Sequence, residues 1–296
     1  FDELYRISDR ITIMRDGEYI ATVETKEADS DELVKLMVGR SMTSFYVKDI
    51  VEPGEVVLKV DHLTRKPDFE DVSFEVRAGQ IVGFSGLVGA GRSEIMLSIF
   101  GATRFSSGEV TFQGRKRTFG NIKEAIDSGI GMVPEDRKKL GLVLANSVGY
   151  NISLAKIRDL ARKGFIRRKK KTELVDQYGR ELSIKTASMD ALVSTLSGGN
   201  QQKVLVSKWI ATNPSLLILD EPTRGIDIGA KQEIYSIMNE LVKKGMAIIL
   251  ISSELPEVIH MSDVIYVVRN GRIAKRFEHG EFSQEDIMSY ATGGNN

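Results

Sequence analysis

The stretch that most constrains this chain is Ser85–Glu94, which reads Ser-Gly-Leu-Val-Gly-Ala-Gly-Arg-Ser-Glu. It holds the pattern G-x-x-x-x-G-R-S, a phosphate-cradling loop in which Arg92 stands where lysine is usual. Gln80–Ser85 ahead of it is apolar and bounded by Ala78-Gly79, as a buried strand would be. Behind it Ile95, Met96, Ile99 and Phe100 recur at helical spacing until Gly101. Strand, glycine turn and helix in succession let backbone N–H groups converge on an anion, and the helix N-terminus adds positive potential. Glycine-rich turns between strand and helix also serve plain packing, so the loop alone leaves both readings open.

Composition narrows the classes. The 296 residues are 42% hydrophobic and 28% charged, enough for a sizeable core, and the formal net charge is +0. That balance gives no overall electrostatic case for nucleic acid or a membrane surface as a partner. Cysteine is absent, which removes disulfides, thiolate catalysis and cysteine-based zinc sites. His62, His260 and His279 lie far apart. No apolar run reaches the ~18 residues of a membrane span, and no signal peptide is evident.

The chain opens on Phe1 and carries an internal repeat. Ser8-Asp9-Arg10-Ile11 falls over Ser262-Asp263-Val264-Ile265, and Met14-Arg15-Asp16-Gly17 over Val268-Arg269-Asn270-Gly271, without gaps. Glu3, Glu24, Glu27 and Gly39 match Glu257, Glu278, Glu281 and Gly293 at the same offset. A strand, an Asp/Asn-Gly hairpin and a closing amphipathic helix account for both copies. Residues 1–45 therefore read as the tail of a preceding homologous domain, 46–54 (with Pro53-Gly54) as a linker, and 55–296 as the complete domain.

Within that domain Val56–Val60 and Val72–Val76 read as paired strands, Gly108–Gly114 holds another, and Asn121–Ser128 a short helix. A polar, helical region follows over about 138–200, with the basic run Arg167–Lys171. A nucleic-acid contact there is set against a solvated helix face, and the solvated face is the expectation. Leu196-Ser-Gly-Gly-Asn-Gln-Gln-Lys203 opens an amphipathic helix, and Leu216–Asp220 is an apolar strand ending in Asp220-Glu221. Ala247–Ser252 is a further buried strand. Apolar strands alternating with helices predict an α/β core of mostly parallel sheet.

The phosphate loop, Leu196-Ser-Gly-Gly199 and the strand ending in Asp220-Glu221, in that order, resemble the nucleotide-binding domain of ATP-binding-cassette (ABC) proteins over residues 55–296. The resemblance implies a P-loop NTPase core with an antiparallel β subdomain and a helical subdomain. It implies ATP and Mg²⁺ as ligands, with Gly86, Leu87, Val88, Gly89, Ala90, Gly91, Arg92, Ser93, Glu94 and Glu135 at the nucleotide. Ser93 and Asp220 would hold the metal, and Glu221 would polarise the attacking water. Leu196, Ser197, Gly198, Gly199 and Asn200 would meet the nucleotide of a head-to-tail partner domain, with Asp227 at that interface.

Four positions depart from the family pattern. Arg92 replaces lysine, Glu135 stands for a glutamine, Ser253 occupies the place of a switch histidine, and Leu63–Phe69 offers no clear adenine-stacking ring. Phe69 itself is expected in the core. Gly-Ala-Gly-Arg at 89–92, Pro-Glu-Asp-Arg at 134–137 and the signature at 196–203 together resemble the second half of the tandem ATPase subunit of bacterial ribose, galactose and xylose importers. Met37-Val-Gly-Arg40 then looks like the end of the first half. This implies an energy-coupling subunit at the cytoplasmic face of the cell membrane, whose own site binds nucleotide but hydrolyses weakly. Its partners would be the preceding domain, transmembrane permease subunits docked where the Glu135 loop meets the helical insertion, and, indirectly, a periplasmic sugar-binding protein. The sugar would be chosen by the permease and binding protein. Two alternatives stay open: a soluble ABC ATPase of translation or DNA repair, disfavoured by the short linker and the lack of heptads between Gly91 and Leu196, and a nucleotide-binding module without turnover.

Overall fold

In the computed structural model, which describes residues 2–15, 18–26, 28, 33, 36, 46–278, 280 and 283–294, the chain opens with helix α1 (Asp2–Ile7) and hairpin β1 (Arg10–Arg15)–β2 (Glu18–Glu24). Ile11 and Ile13 alternate onto one face and bury against Leu33. The expected Asp16-Gly17 turn lies outside the described residues. So does the first copy's closing helix with Met37–Arg40, apart from Ala28, Leu33 and Leu36.

An antiparallel sheet follows, in the order β4-β3-β6-β7, from β3 (Val56–Arg65), β4 (Phe69–Arg77), β6 (Ser107–Phe112) and β7 (Arg115–Arg117). Phe69 is 1% exposed within its core, as expected. Between β4 and β6 run β5 (Ile81–Ser85) and helix α2 (Arg92–Ile99). Next come α3 (Ile122–Ser128), capped by the Asn121 side chain, and β8 (Ile130–Val133).

The helical region begins with a π turn at Arg137–Gly141, then α4 (Val148–Leu154) and α5 (Ile157–Leu160). A two-residue-stranded hairpin, β9 (Ala161–Arg162) and β10 (Phe165–Ile166), interrupts it before α6 (Arg168–Glu181). The polar pattern predicted helix here and missed that hairpin. Strands this short carry too little periodicity to register in a sequence window.

Then come α7 (Gly198–Ile210), β11 (Leu216–Asp220), α8 (Ile228–Lys243), β12 (Ala247–Ile251), α9 (Leu255–Met261), the hairpin β13 (Val264–Arg269)–β14 (Arg272–Glu278), and α10 (Gln284–Thr292). Six strands make one sheet in the order β14-β13-β5-β12-β11-β8, parallel except for β14. Every residue of β5, β8, β11 and β12 is buried, as the continuous apolar runs require of strands covered on both faces. This is the expected α/β core with an antiparallel subdomain and a helical one.

Residues 46–54 are strapped to the core. The Tyr46 ring stacks on His260 at 4.9 Å, Asn239 Nδ2 donates to the Val47 carbonyl (2.6 Å), and Lys48 pairs with Asp263. Asp49 adds an ion pair with Lys243 at 2.9 Å.

Candidate functional site

The register of the central sheet builds the site. Asp220 lies beside Ile251, Ile251 beside Phe84, and Leu219 beside Val133. Four strands thus end on one level, and the chain leaves each into a predicted site segment. The phosphate loop follows Ser85, Ser252-Ser253 follow Ile251, Glu221 follows Asp220, and Pro134-Glu135 follow Val133. Ligands of open parallel sheets sit at this carboxyl edge because loops and helix N-termini converge there. Val88–Glu94, Glu135, Asp220, Glu221 and Ser253 line one cavity of about 430 Å³. Larger grooves of about 620 and 680 Å³ exist elsewhere, so the chemistry of the lining, not its size, picks out the site.

Gly86 explains why the loop can form. Its φ is +146°, and a Cβ there would sit 2.2 Å from the Val268 carbonyl oxygen, so no side chain fits. Hairpin β13–β14 thereby backs the loop, and Gly271 N–H donates to the Ala90 carbonyl at 2.8 Å. The free first-turn N–H groups of α2 face the space above.

Asp220 is buried, and its Oδ1 has no hydrogen-bond partner. Burial pushes its carboxyl up to about 6, partly offset by the Ser93 hydroxyl and reinforced by the charges of Glu221 and Glu135. An orphaned buried carboxylate oxygen beside a hydroxyl at the phosphate loop is a donor set that suits a hard cation shared with phosphate oxygens. Among the described residues no three Asp, Glu, His or Cys side chains gather around a metal position, so such a cation would draw on Ser93, Asp220 and its ligand.

Glu221 adopts the left-handed conformation at φ +49° while its N–H bonds the Ile251 carbonyl (2.9 Å), a backbone strain typical of working residues. Burial raises its pKa, with the Ser253 hydroxyl and the Arg92 charge opposing. Ser253 Oγ donates to Glu221 Oε2 at 3.0 Å, and Arg92 Nη2 stands 3.9 Å from Oε1. Arg92 Nη1 donates to the Ser252 carbonyl at 2.8 Å. The buried guanidinium is thus committed to the carboxylate and the strand end beside it.

The signature segment lies elsewhere. Leu196–Asn200 and Asp227 do not line the phosphate-loop cavity. Ser197 caps α7, and its Oγ accepts from Asn200 Nδ2 (3.0 Å); Asp227 caps α8 by accepting from Ala230 N–H (2.9 Å). A Cβ on Gly199 would meet the Ala230 Cβ at 2.4 Å, so this glycine lets the two helix starts approach.

Two residues were missed. Arg224 pairs with Glu135 and lines the cavity, while Arg137 holds the Arg224 and Gly225 carbonyls at 2.8 and 3.0 Å. Arg224 follows the Asp220-Glu221 strand end by three residues and Arg137 closes Pro-Glu-Asp-Arg, yet nothing local says that these loops touch.

Comparison with known proteins fits this geometry. A family model described as ABC transporter matches residues 69–224. The chain is 50% identical over 293 residues to the ribose import ATP-binding protein RbsA of Bacillus subtilis, covering 99% of this chain and 59% of that protein. It is 46% identical over 292 residues to a putative ribose/galactose/methyl galactoside import ATP-binding protein of Geobacillus kaustophilus, covering 99% and 58%. The chain thus spans about three fifths of these curated relatives' length. Among solved structures, the ADP conformation of the ATP-binding cassette MJ1267 superposes with a TM-score of 0.65 at 22% identity, over 80% of this chain and 95% of that one. A dimeric post-hydrolysis state of the cassette MJ0796 bound to ADP and Pi gives 0.66 at 18%, over 76% and 100%.

Proposed function

The chain belongs to the ABC transporter family, and from that membership we propose that it is part of the energy-coupling ATP-binding subunit of a sugar importer of the ribose type. The observation that carries the reading is the meeting of phosphate loop, Ser93, Asp220 and Glu221 at one carboxyl edge, with Ser197–Asn200 turned to another surface. Such a division suits a nucleotide clamped between this loop and the signature of a second, head-to-tail domain.

The loop N–H groups and α2 N-terminus bind and orient the triphosphate. Ser93 and Asp220 hold Mg²⁺, which when bound neutralises charge on the phosphates. Glu221 orients the attacking water and accepts its proton. With Ser253 on one oxygen and Arg92 near the other, its lone pairs are partly engaged, so this site turns over slowly while offering its signature to the partner. Arg92→Lys removes the planar donor fork from Ser252 and Glu221, and is expected to raise turnover severalfold at unchanged ATP affinity.

The duplicated hairpin supports a preceding domain of the same kind in the polypeptide, and the greater length of the relatives agrees with one. A groove of about 680 Å³ between α3 and α4–α5, where Ile122, Ile126, Leu154 and Ile157 lie among Lys123, Asp127, Lys156 and Asp159, supports a transmembrane partner docking on the helical subdomain. Among the described residues no helix is long and apolar enough to cross a membrane. The test is purification of the parent polypeptide from membranes: it should carry a permease with it and bind Mg-ATP, with weaker binding at one of its sites on Asp220→Asn. Recovery with ribosomes or DNA would overturn the reading in favour of a soluble ABC ATPase.

A further inference from the structure

The basic run sits beside an element that the nucleotide chemistry leaves unused. Between Leu160 and Thr172 the chain holds seven Lys or Arg residues and no Asp or Glu. Arg162, Lys163 and Arg168–Lys170 are exposed, and among the described residues none of the seven makes an ion pair with a carboxylate. Arg167 is spent on structure, its guanidinium donating to the Asp159 carbonyl at 2.6 Å. Arg168–Lys171 crowd the first turn of α6, which has no acidic residue, so like charges and the helix dipole both oppose them. Folding gains nothing from this arrangement.

The hairpin in front supplies the apolar half. Lys163 and Gly164, at φ +50° and +82°, form a tight two-residue turn, and the strands pair Arg162 with Phe165 and Ala161 with Ile166. Phe165 is 80% exposed and Ile166 46%. A bulky ring thus projects beside Arg162 at the tip of a convex loop, with lysines and arginines on both sides.

We propose that hairpin 161–166 and the start of α6 form a docking surface for an anionic phospholipid bilayer. The apolar tip enters the boundary between headgroups and acyl chains while the flanking cations meet the headgroup charge. Nucleic acid is disfavoured because single-strand binders stack successive bases on several aromatics along a concave groove, whereas this convex tip has one ring. The hairpin directly follows Lys156–Asp159 on the rim of the groove between α3 and α4–α5. A permease seated in that groove would hold the tip at the headgroups; this last point rests on the importer reading, while the charge and the exposed ring do not.

The test needs no permease. The full chain is mixed with vesicles of phosphatidylcholine alone or with phosphatidylglycerol added, and sedimentation and fluorescence are read. Binding should require the anionic lipid and weaken with salt. Arg168→Gln/Lys169→Gln/Lys170→Gln should weaken it about 100-fold and Phe165→Ser about tenfold, with Mg-ATP binding unchanged. Phe165→Trp should shift its emission to the blue only with anionic vesicles, over the constant signal of buried Trp209. No vesicle binding, equal binding to both compositions, binding indifferent to these variants, or preferential binding of single-stranded RNA overturns the proposal and leaves the importer reading standing.

Discussion

The two hairpins, β1–β2 and β13–β14, share sequence pattern and backbone down to an irregularity. Each slips register once, between Ile13 and Met14 in the first and between Val267 and Val268 in the second, which are equivalent positions. Each buries an equivalent trio, Ile11, Ile13 and Leu33 against Ile265, Val267 and Ile287. The opposite faces differ. β13 pairs with β5 and is buried on both sides, so Val268 is fully buried, while its counterpart Met14 is 60% exposed. One pattern therefore specifies a hairpin, and its neighbours decide whether that hairpin becomes a wall of a site. Among the described residues, only the second copy presses a carbonyl against Gly86 and receives the phosphate loop at Gly271.

The sharpest way to break this contrast is to charge the differing face. Val268→Asp buries an unpaired carboxylate and should cost at least about 4 kcal/mol, whereas Met14→Asp should stay within about 0.5 kcal/mol in denaturant melts of this chain. In a polypeptide extended by the proposed preceding domain, Met14→Asp should become as costly as Val268→Asp. Equal effects in the present chain would erase the distinction.

Truncating the shared face should act alike in chemistry and differently in reach. Ile287→Ala should cost about 3 kcal/mol in the main unfolding transition. Leu33→Ala should instead release amide protection in residues 10–24 alone, as hydrogen exchange would show, leaving that transition in place.

A smaller effect tests the helix beneath the second hairpin. Glu257 on α9 is fully buried, and burial, partly offset by the Ser252 and Thr223 hydroxyls, pushes its carboxyl up to about 7. Between the ordinary value near 4.5 and 7 the native state keeps a proton that the unfolded chain has lost, so stability falls as pH rises through that window. Glu257→Gln should therefore gain on the wild type by about 2 kcal/mol between pH 5 and pH 8, read from thermal melts.

The smallest effect lies at the site that the second hairpin supports. Asp220, raised to about 6, must be ionised to hold a cation, so Mg-ATP affinity should drop roughly tenfold from pH 7 to pH 5. Metal-free nucleotide binding, measured by titration, should change far less.

What was legible follows from how local each signal is. The phosphate loop, the signature and the Asp220-Glu221 strand declare themselves by spacing within a few residues, and Phe69 was read into the core from its type. The engagement of Arg92 with Glu221 and Ser252 was not legible, since it joins residues more than a hundred positions apart across β5, β11 and β12. The Arg224–Glu135 pair, 89 positions apart, likewise joins loops that only the sheet brings together. The turn at Lys163-Gly164 had a local signal, but the helical pattern around it dominated.

Hydrophobic period and turn chemistry act over a few neighbours, so the residues alone were enough for the strands and helices of the core, the repeated hairpin and the chemical kinds of residue at each strand end, though not for the short hairpin at 161–166. Only the tertiary structure decided that Asp220, Ser253, Glu135 and the phosphate loop share one rim, and that Val268 is walled in where Met14 is bare. Those outcomes depend on which strands lie side by side and at what register, and distant backbone pairing is a property of the whole sheet.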